Sequence, residues 1–329
     1  MKKIGYIQTS SKKYGGKVYE QQVREALSKH FDLELINLSP KYFSKKFLKA
    51  IELFFYLLKL KGTKDLWIRD FISAITLPLA KTKGENIVLI HHIDFSDSPL
   101  IFKPFFFIIQ KIFYQNLRKT EAIVVVSEYW KNHFLKKGYS NVYKIYNSFN
   151  LFEFNVGEKE VVEFKKRYNL EEKPIIYIGN CQRAKGVVES YEALKGLNIY
   201  LVTSGEKKVK IPTINLSIEY RDYLRLLKAS SIVVAMSKFK EGWCRTVHEA
   251  MLLKKPVIGS GLGGMKELLE GGKQIICEDF NLLEAKVSYL LNHPEIMEEM
   301  GETGFSYVKD FTADKFEKEW VNLIKKIIQ

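Results

Sequence analysis

The chain has 329 residues, 46% hydrophobic and 27% charged, which sets aside a disordered protein and suits two α/β domains better than one. Its three cysteines, Cys181, Cys244 and Cys277, have neither CxxC nor zinc-like spacing, which argues against a disulfide framework and fits a reducing compartment. The formal net charge of +14 is uneven, because residues 1–150 hold 25 Lys and Arg against 12 Asp and Glu, and the rest 27 against 26.

Met1-Lys2-Lys3 leads directly into the apolar run from Ile4 to Ile7, so no signal peptide is expected and 3–8 reads as a first buried strand. After Tyr14-Gly15-Gly16, residues 18–29 place Val18, Val23, Ala26 and Leu27 on one face of an amphipathic helix. Further strands are expected at 33–38, 86–91 and 122–127, with a short run at 142–146 that ends at Asn147-Ser148-Phe149-Asn150. The polar stretch 153–160 marks the junction between an N-terminal domain, 1–152, and a C-terminal domain, 153–310. A second series has strands at 174–179, 199–204, 231–236, 256–260 and 274–277, with helices at 187–194, 220–229 and 246–253. A last helix within 311–329 has Phe316, Trp320, Leu323, Ile324 and Ile327 on one side and is expected to return toward the first domain. Alternation of short apolar runs with helical patterns indicates α/β architecture with parallel sheets.

Two stretches of the first half depart from that alternation. Residues 44–76 and 100–118 mix aromatic and aliphatic residues with lysines, and neither has the run of about 20 apolar residues a spanning helix needs. Both read as interfacial helices. With the excess charge on the same half, they point to an anionic partner: a membrane surface touched through 44–76 and 100–118, or an acidic acceptor. Nucleic acid would also match the charge, but no nucleic-acid-binding motif is present.

The most informative segment is Ser237-Lys238-Phe239-Lys240-Glu241-Gly242-Trp243-Cys244-Arg245-Thr246-Val247-His248-Glu249-Ala250-Met251. A strand ends just before it and a helix starts inside it, the place where an open α/β sheet binds ligands and where backbone N–H groups favour an anion. Glu241 precedes the helix and Glu249 lies about one turn inside, so they can grip different parts of one extended ligand. Gly242 permits close backbone approach, and Thr246 is a suitable helix cap. The segment resembles the E-x7-E signature of retaining glycosyltransferases of the GT-B fold, family 4 (glycosyltransferase group 1). In that family the first Glu binds the donor sugar and the second the nucleotide ribose, which assigns those roles to Glu241 and Glu249.

Three further segments follow the same pattern. Gly179-Asn180-Cys181-Gln182-Arg183-Ala184-Lys185-Gly186 resembles the family's Gly-Arg…Lys-Gly phosphate clamp, with Asn180 in the place of the Arg and Arg183 close by. Gly263, Gly264 and Glu267 resemble the glycine-rich turn and Glu at the end of the donor site, and Asn147–Asn150 the inter-domain stretch. In the first half, Gly15 and Gly16 match a glycine loop that approaches the diphosphate. His91 or His92 matches a histidine near the donor sugar, and Ser127 with Glu128 matches a Ser-Glu pair, for which a plain helix cap is the simpler reading. His248 reads as a packing residue.

The resemblance implies two Rossmann-like parallel-sheet domains facing a cleft, and a nucleotide sugar of the UDP or GDP type as donor. A glycan or lipid-linked acceptor, no cofactor and a cytoplasmic chain, peripheral on the inner face of the membrane, complete the expectation. No metal is expected, since no Asp-x-Asp occurs and Asp94 and Asp97 have the wrong spacing. Catalysis is assigned to His91 or His92, Glu241 and Lys185. The alternatives are a sugar-nucleotide 2-epimerase of the same fold and a non-catalytic anion- or nucleic-acid-binding protein. A Rossmann dehydrogenase is disfavoured because no Gly-x-Gly-x-x-Gly follows the first strand.

Overall fold

The computed structural model describes residues 1–9, 15–43, 46–93 and 103–329. It divides into two compact units, Met1–Ser148 with Ala313–Gln329, and Phe149–Thr312.

The first unit is built on strands β1 (Lys3–Gln8), β2 (Asp32–Asn37), β3 (Lys61–Arg69), β4 (Lys81–Ile90), β5 (Ala122–Val125) and β6 (Val142–Lys144). They form one parallel sheet in the order β2-β1-β3-β4-β5-β6. A parallel sheet needs cover on both faces, and register with side-chain alternation decides what each face presents. Gly5 aligns with Trp67, Trp67 with Asn86, Val88 with Ile123 and Ile90 with Val125. Ile7, Trp67, Val88, Ile90, Ile123 and Val125 therefore share one face. Gly5 makes room there, since a Cβ would lie 2.6 Å from the Trp67 ring. Leu53 and Leu57 of helix Lys46–Lys59 cover Ile7 and Trp67. Phe113 and Leu117 of helix Lys103–Leu117, with Trp130 and Phe134 of helix Glu128–Lys136, cover the other four.

The β1-to-β2 connection runs the opposite way across the sheet, so its right-handed crossover puts helix Gly15–Ser28 on the second face. The C-terminal helix Ala313–Ile327 packs beside it. The buried Tyr19 hydroxyl donates to the Ile145 carbonyl at 2.9 Å and accepts from Trp320 Nε1 at 3.3 Å.

One expectation for this unit fails. Residues 44–76 do not form a single interfacial helix, because Lys61–Arg69 is the strand between β1 and β4, with Leu66, Trp67, Ile68 and Arg69 buried. What remains of that reading is helix Lys46–Lys59, then the short helix Phe71–Ile75 capped by Asp70. Residues 44, 45 and 100–102 of the two stretches lie outside the described residues, as do Asp94 and Asp97.

The second unit carries β7 (Ile175–Asn180), β8 (Tyr200–Ser204), β9 (Ile214–Leu216), β10 (Ile232–Ala235), β11 (Val257–Gly259) and β12 (Ile275–Ile276). This sheet is also parallel, in the order β12-β11-β10-β7-β8-β9. Its core joins Ile176, Ile178, Val234 and Ile258 to Val187 and Leu194 of helix Val187–Leu194. Two Rossmann-like parallel sheets, the α/β fold expected from the sequence, are what the structure shows.

Candidate active site

In the second sheet the strand order turns back between β7 and β10, and ligands of open α/β sheets bind outside the carboxyl ends of strands at such a point. The loops leaving β7, β10 and β11 there are held together through two glycines. Gly186 has φ +69°, and a Cβ on it would lie 2.1 Å from the Met236 carbonyl oxygen. Beside it, the Lys238 N–H donates to the Ala184 carbonyl at 2.9 Å, joining the β7 and β10 loops backbone to backbone. Gly263 has φ +70°, and its Cβ would meet the Glu241 carbonyl oxygen at 2.4 Å. The N–H of Glu241 donates to Leu262 at 3.2 Å and that of Gly264 to Glu241 at 2.8 Å, which joins the β10 and β11 loops. Neither glycine tolerates a side chain without moving its neighbour.

That frame places the side chains. Lys185 Nζ donates to Glu241 Oε1 at 2.6 Å, and Ser237 Oγ donates to the same oxygen at 2.6 Å. Burial acts to lower the Lys185 pKa, but the adjoining Glu241 carboxylate outweighs it and the net shift is upward. The ammonium also lies 4.9 Å from the Phe239 ring centroid.

Glu249 sits on helix Arg245–Leu252 and is 4% exposed. Its Oε1 accepts from the Tyr220 hydroxyl and from Arg245 Nη2, each at 3.2 Å. Burial raises the Glu249 pKa, and Arg245 offsets only part of that rise. From Glu249 a polar chain runs inward. Tyr220 stacks on Tyr223, whose hydroxyl donates to Thr246 Oγ1 at 3.2 Å. Tyr223 meets Tyr177 edge to face, the Tyr177 hydroxyl is 2.7 Å from Ser204 Oγ, and Ser204 donates to Asn180 Oδ1 at 2.8 Å. Asn180 and Glu249, on different loops, thus belong to one network. Thr246 is not the helix cap expected for it. Cys244 holds that position without a side-chain bond, and the Thr246 hydroxyl serves Tyr223 instead.

The remaining candidates fall into two groups. Trp243, Cys244 and Val247 are buried behind the carboxylates, as is Gly242. Burial, with Glu241 beside it, pushes the Cys244 thiol up to about 12. Trp243 Nε1 donates to His248 Nδ1 at 3.3 Å, and His248 stacks on Phe149 with ring centroids 3.9 Å apart. Burial and then Arg245 hold the His248 pKa well below the usual range, so the ring is neutral. Arg245 itself lies over the Phe149 ring. Arg183 is exposed in the turn before Lys185, and Glu267 stands in the first turn of helix Met265–Gly271. The sequence reading gave no role to Ser204, Tyr220 and Tyr223, nor to Ser237, although Ser237 opens the informative segment; the spacing of Tyr220 and Tyr223 on one helix face hints at those two.

In the first unit, Gly15 and Gly16 are the first residues of helix Gly15–Ser28. His91 follows β4, with Nε2 at 3.6 Å from Glu20 Oε1 and its ring edge-on to Tyr19. Lys17 Nζ holds the other Glu20 oxygen at 2.5 Å. Burial would raise the Glu20 pKa, but His91 and Lys17 outweigh it and the carboxyl stays ionised. His92 is exposed. Ser127 is buried and caps helix Glu128–Lys136, accepting from the Trp130 N–H at 3.4 Å. Among the described residues, no cluster of three or more His, Cys, Asp or Glu is placed to hold a metal ion.

Residues 158–307, inside the second unit, match the family model described as glycosyl transferases group 1. The second unit belongs to the group 1 glycosyltransferases. The chain is 30% identical over 210 residues to a trehalose synthase of Pyrococcus horikoshii, covering 54% of this chain and 50% of that one. It is 27% identical over 212 residues to an uncharacterised glycosyltransferase of Methanocaldococcus jannaschii, covering 60% and 57%. The matches thus span about half the length of these curated relatives. Among solved structures, Anabaena HepE in complex with UDP-glucose superposes with a TM-score of 0.76 at 14% identity, over 99% of this chain and 100% of that one. Sucrose-phosphate synthase from Thermosynechococcus elongatus gives 0.79 at 15% identity, over 99% of each chain. At such identities the likeness is one of fold, and the fold shared is GT-B.

Proposed function

We propose that the chain is a retaining glycosyltransferase that moves a sugar from a nucleoside-diphosphate sugar to an acceptor hydroxyl. The observation that carries this reading is the convergence of Lys185, Glu241 and Glu249 at the point where the second sheet reverses its strand order. A nucleotide sugar offers a diphosphate, a hexose and a ribose, and the site offers a cation paired with one carboxylate, Glu241, and a second carboxylate, Glu249, with partners of its own. In this assignment Lys185 and the exposed Arg183 hold the diphosphate, Glu241 accepts from sugar hydroxyls, and Glu249 accepts from the ribose diol. The UDP-glucose bound to HepE supports a uridine donor.

The step breaks the bond between the anomeric carbon and the diphosphate oxygen and forms one from that carbon to the acceptor oxygen on the same face. The acceptor proton passes to the departing phosphate oxygen. Fixed positive charge from Lys185, Arg183 and the start of helix Arg245–Leu252 stabilises the leaving diphosphate without a metal ion. A glycan or lipid-linked sugar is the acceptor class.

The test is a panel of UDP- and GDP-sugars screened for thermal stabilisation, followed by incubation of the best donor with candidate acceptors in the presence of EDTA. Transfer with retention of anomeric configuration supports the reading. Conversion of the donor without any acceptor would identify an isomerase instead, and stabilisation by no nucleotide sugar would overturn the assignment.

A further inference from the structure

We infer that the helix layer formed by Lys46–Lys59, Phe71–Ile75 and Lys103–Leu117 is a docking face for an anionic lipid bilayer. The three helices lie on one face of the first sheet, because the residues they cover share that face by register. Helices Phe71–Ile75 and Lys103–Leu117 touch directly, with Asn116 Nδ2 donating to the Ala74 carbonyl at 3.0 Å and Phe71 against Phe113.

The inner side of each helix is committed to the core, but the outer side is apolar as well. Phe54, Phe55, Ile72, Phe107, Ile108 and Ile112 are all exposed, Phe107 at 68%. Ile51, also exposed, joins Phe54 and Phe55 in one stripe, and Phe107, Ile108 and Ile112 form another, both at helical spacing. Scattered exposed apolar residues need no explanation, but a set of this size on one layer marks an interaction surface.

Charge identifies the occupant. Within the three helices the sequence has a single carboxylate, Glu52, and it is buried. Glu52 accepts from the Lys41 N–H at 2.7 Å, the Tyr42 N–H at 3.1 Å and the Tyr56 hydroxyl at 2.7 Å, so it presents no free negative charge. Lys59 and Lys111 are exposed on the same helices, with Arg118 and Lys119 just beyond. The helices on the other face serve as an internal control. Gly15–Ser28 and Ala313–Ile327 carry Glu20, Glu25, Asp314, Glu317 and Glu319, and Val18 is the one large apolar residue they expose among those described. The fourth helix on this face, Glu128–Lys136, adds one carboxylate, Glu128, which is ion-paired to Lys144, so four helices on this face carry two acids against five on the two helices opposite. Apolar side chains flanked by cations, with few carboxylates among them, match an anionic headgroup layer over an acyl interior. Among the described residues no helix is long and apolar enough to cross a membrane, so the contact is peripheral.

The experiment is co-sedimentation of the full chain with phosphatidylcholine vesicles, with and without phosphatidylglycerol, at low and high salt. Binding is expected to the anionic vesicles and to weaken with salt. The double variant Phe55→Ser/Phe107→Ser should lower vesicle partition by about ten-fold or more, while Lys318→Glu on the opposite layer should leave it unchanged. Absence of binding to anionic vesicles overturns the inference, and so does binding that Lys318→Glu abolishes but the double variant does not. A separate reporter, Phe107→Trp, should shift its emission to the blue on anionic vesicles; an unshifted emission maximum, or a stable dimer that buries this position, rejects the bilayer as occupant.

Discussion

Lys185 and Glu241 form an ion pair at 2.6 Å across 56 residues of sequence, bringing the loop after β7 onto the loop after β10. Each is assigned to a different part of the donor, so ligand entry must exchange their mutual contact for contacts to diphosphate and sugar. Lys185→Met should lower kcat/KM by about 10²–10³, the cost of removing one charge stabiliser from a leaving group, as measured with the donor found by screening. In the absence of ligand, a thermal double-mutant cycle with Glu241→Gln should return a coupling of about 0.5–3 kcal/mol, as for groups in direct contact. Independent effects on stability would show that the pair does not hold the loops together.

Gly263 bears on the same carboxylate through the backbone. A Cβ there would press on both the carbonyl and the N–H of Glu241, at 2.4 Å and 2.7 Å, in a left-handed conformation that disfavours alanine. Gly263→Ala should therefore cost about 1–3 kcal/mol and move Glu241. The expected signature is a lower Tm together with weaker donor saturation. A variant that loses stability but keeps wild-type donor affinity would show that Glu241 does not depend on this turn.

The parallel α/β architecture was legible because most strands are short apolar runs bounded by polar helices, as in 232–235 or 122–125. β3 was not, since its first residues, Lys61 to Asp65, are polar and only Leu66-Trp67-Ile68 looks buried. Pressed between two apolar helices, it reads as part of them. β9 is three residues long and gives no periodic signal. At the site, the spacing of Glu241 and Glu249 is local and survives in the sequence. The contacts around them are not local: Tyr220 reaches Glu249 from another helix, and Ser204 reaches Asn180 from the next strand. Thr246 shows the limit of propensity. It is a good cap by residue type, yet Tyr223 claims its hydroxyl.

The cysteines give a chemical check on the packing behind the carboxylates. Cys181, Cys244 and Cys277 are all buried and unpaired, and burial with Glu241 beside it pushes the Cys244 thiol up to about 12. Since the thiolate is the reacting species, the native chain should resist N-ethylmaleimide at about pH 8 and retain activity. In denaturant all three thiols should be labelled, as read by intact mass. Rapid native labelling of Cys244 would mean that the loop carrying Glu241 opens far more than its contacts imply.

Glu249 connects function to stability with a definite sign. Burial raises its pKa in the folded chain, against about 4.3 in an unfolded one, and Arg245 does not fully compensate. Well below the unfolded value the carboxyl is neutral in both states and its titration costs nothing. As pH rises through the folded value, the unfolded chain releases this proton more readily, so the contribution to stability falls. Glu249→Gln removes that titration. The Tm of the variant minus that of wild type should therefore increase between pH 4 and pH 7 and flatten once wild type is fully ionised. The Arg245 attraction, present only with the ionised carboxylate, opposes this rise, but burial outweighs it and the difference still increases. Donor binding should weaken in the same variant, because an amide accepts from a ribose diol less strongly than a carboxylate. A Tm difference that is flat or falls over this range would mean that Glu249 is not held against its charge. A variant with the rising difference but unchanged donor affinity would separate the buried carboxylate from the ligand.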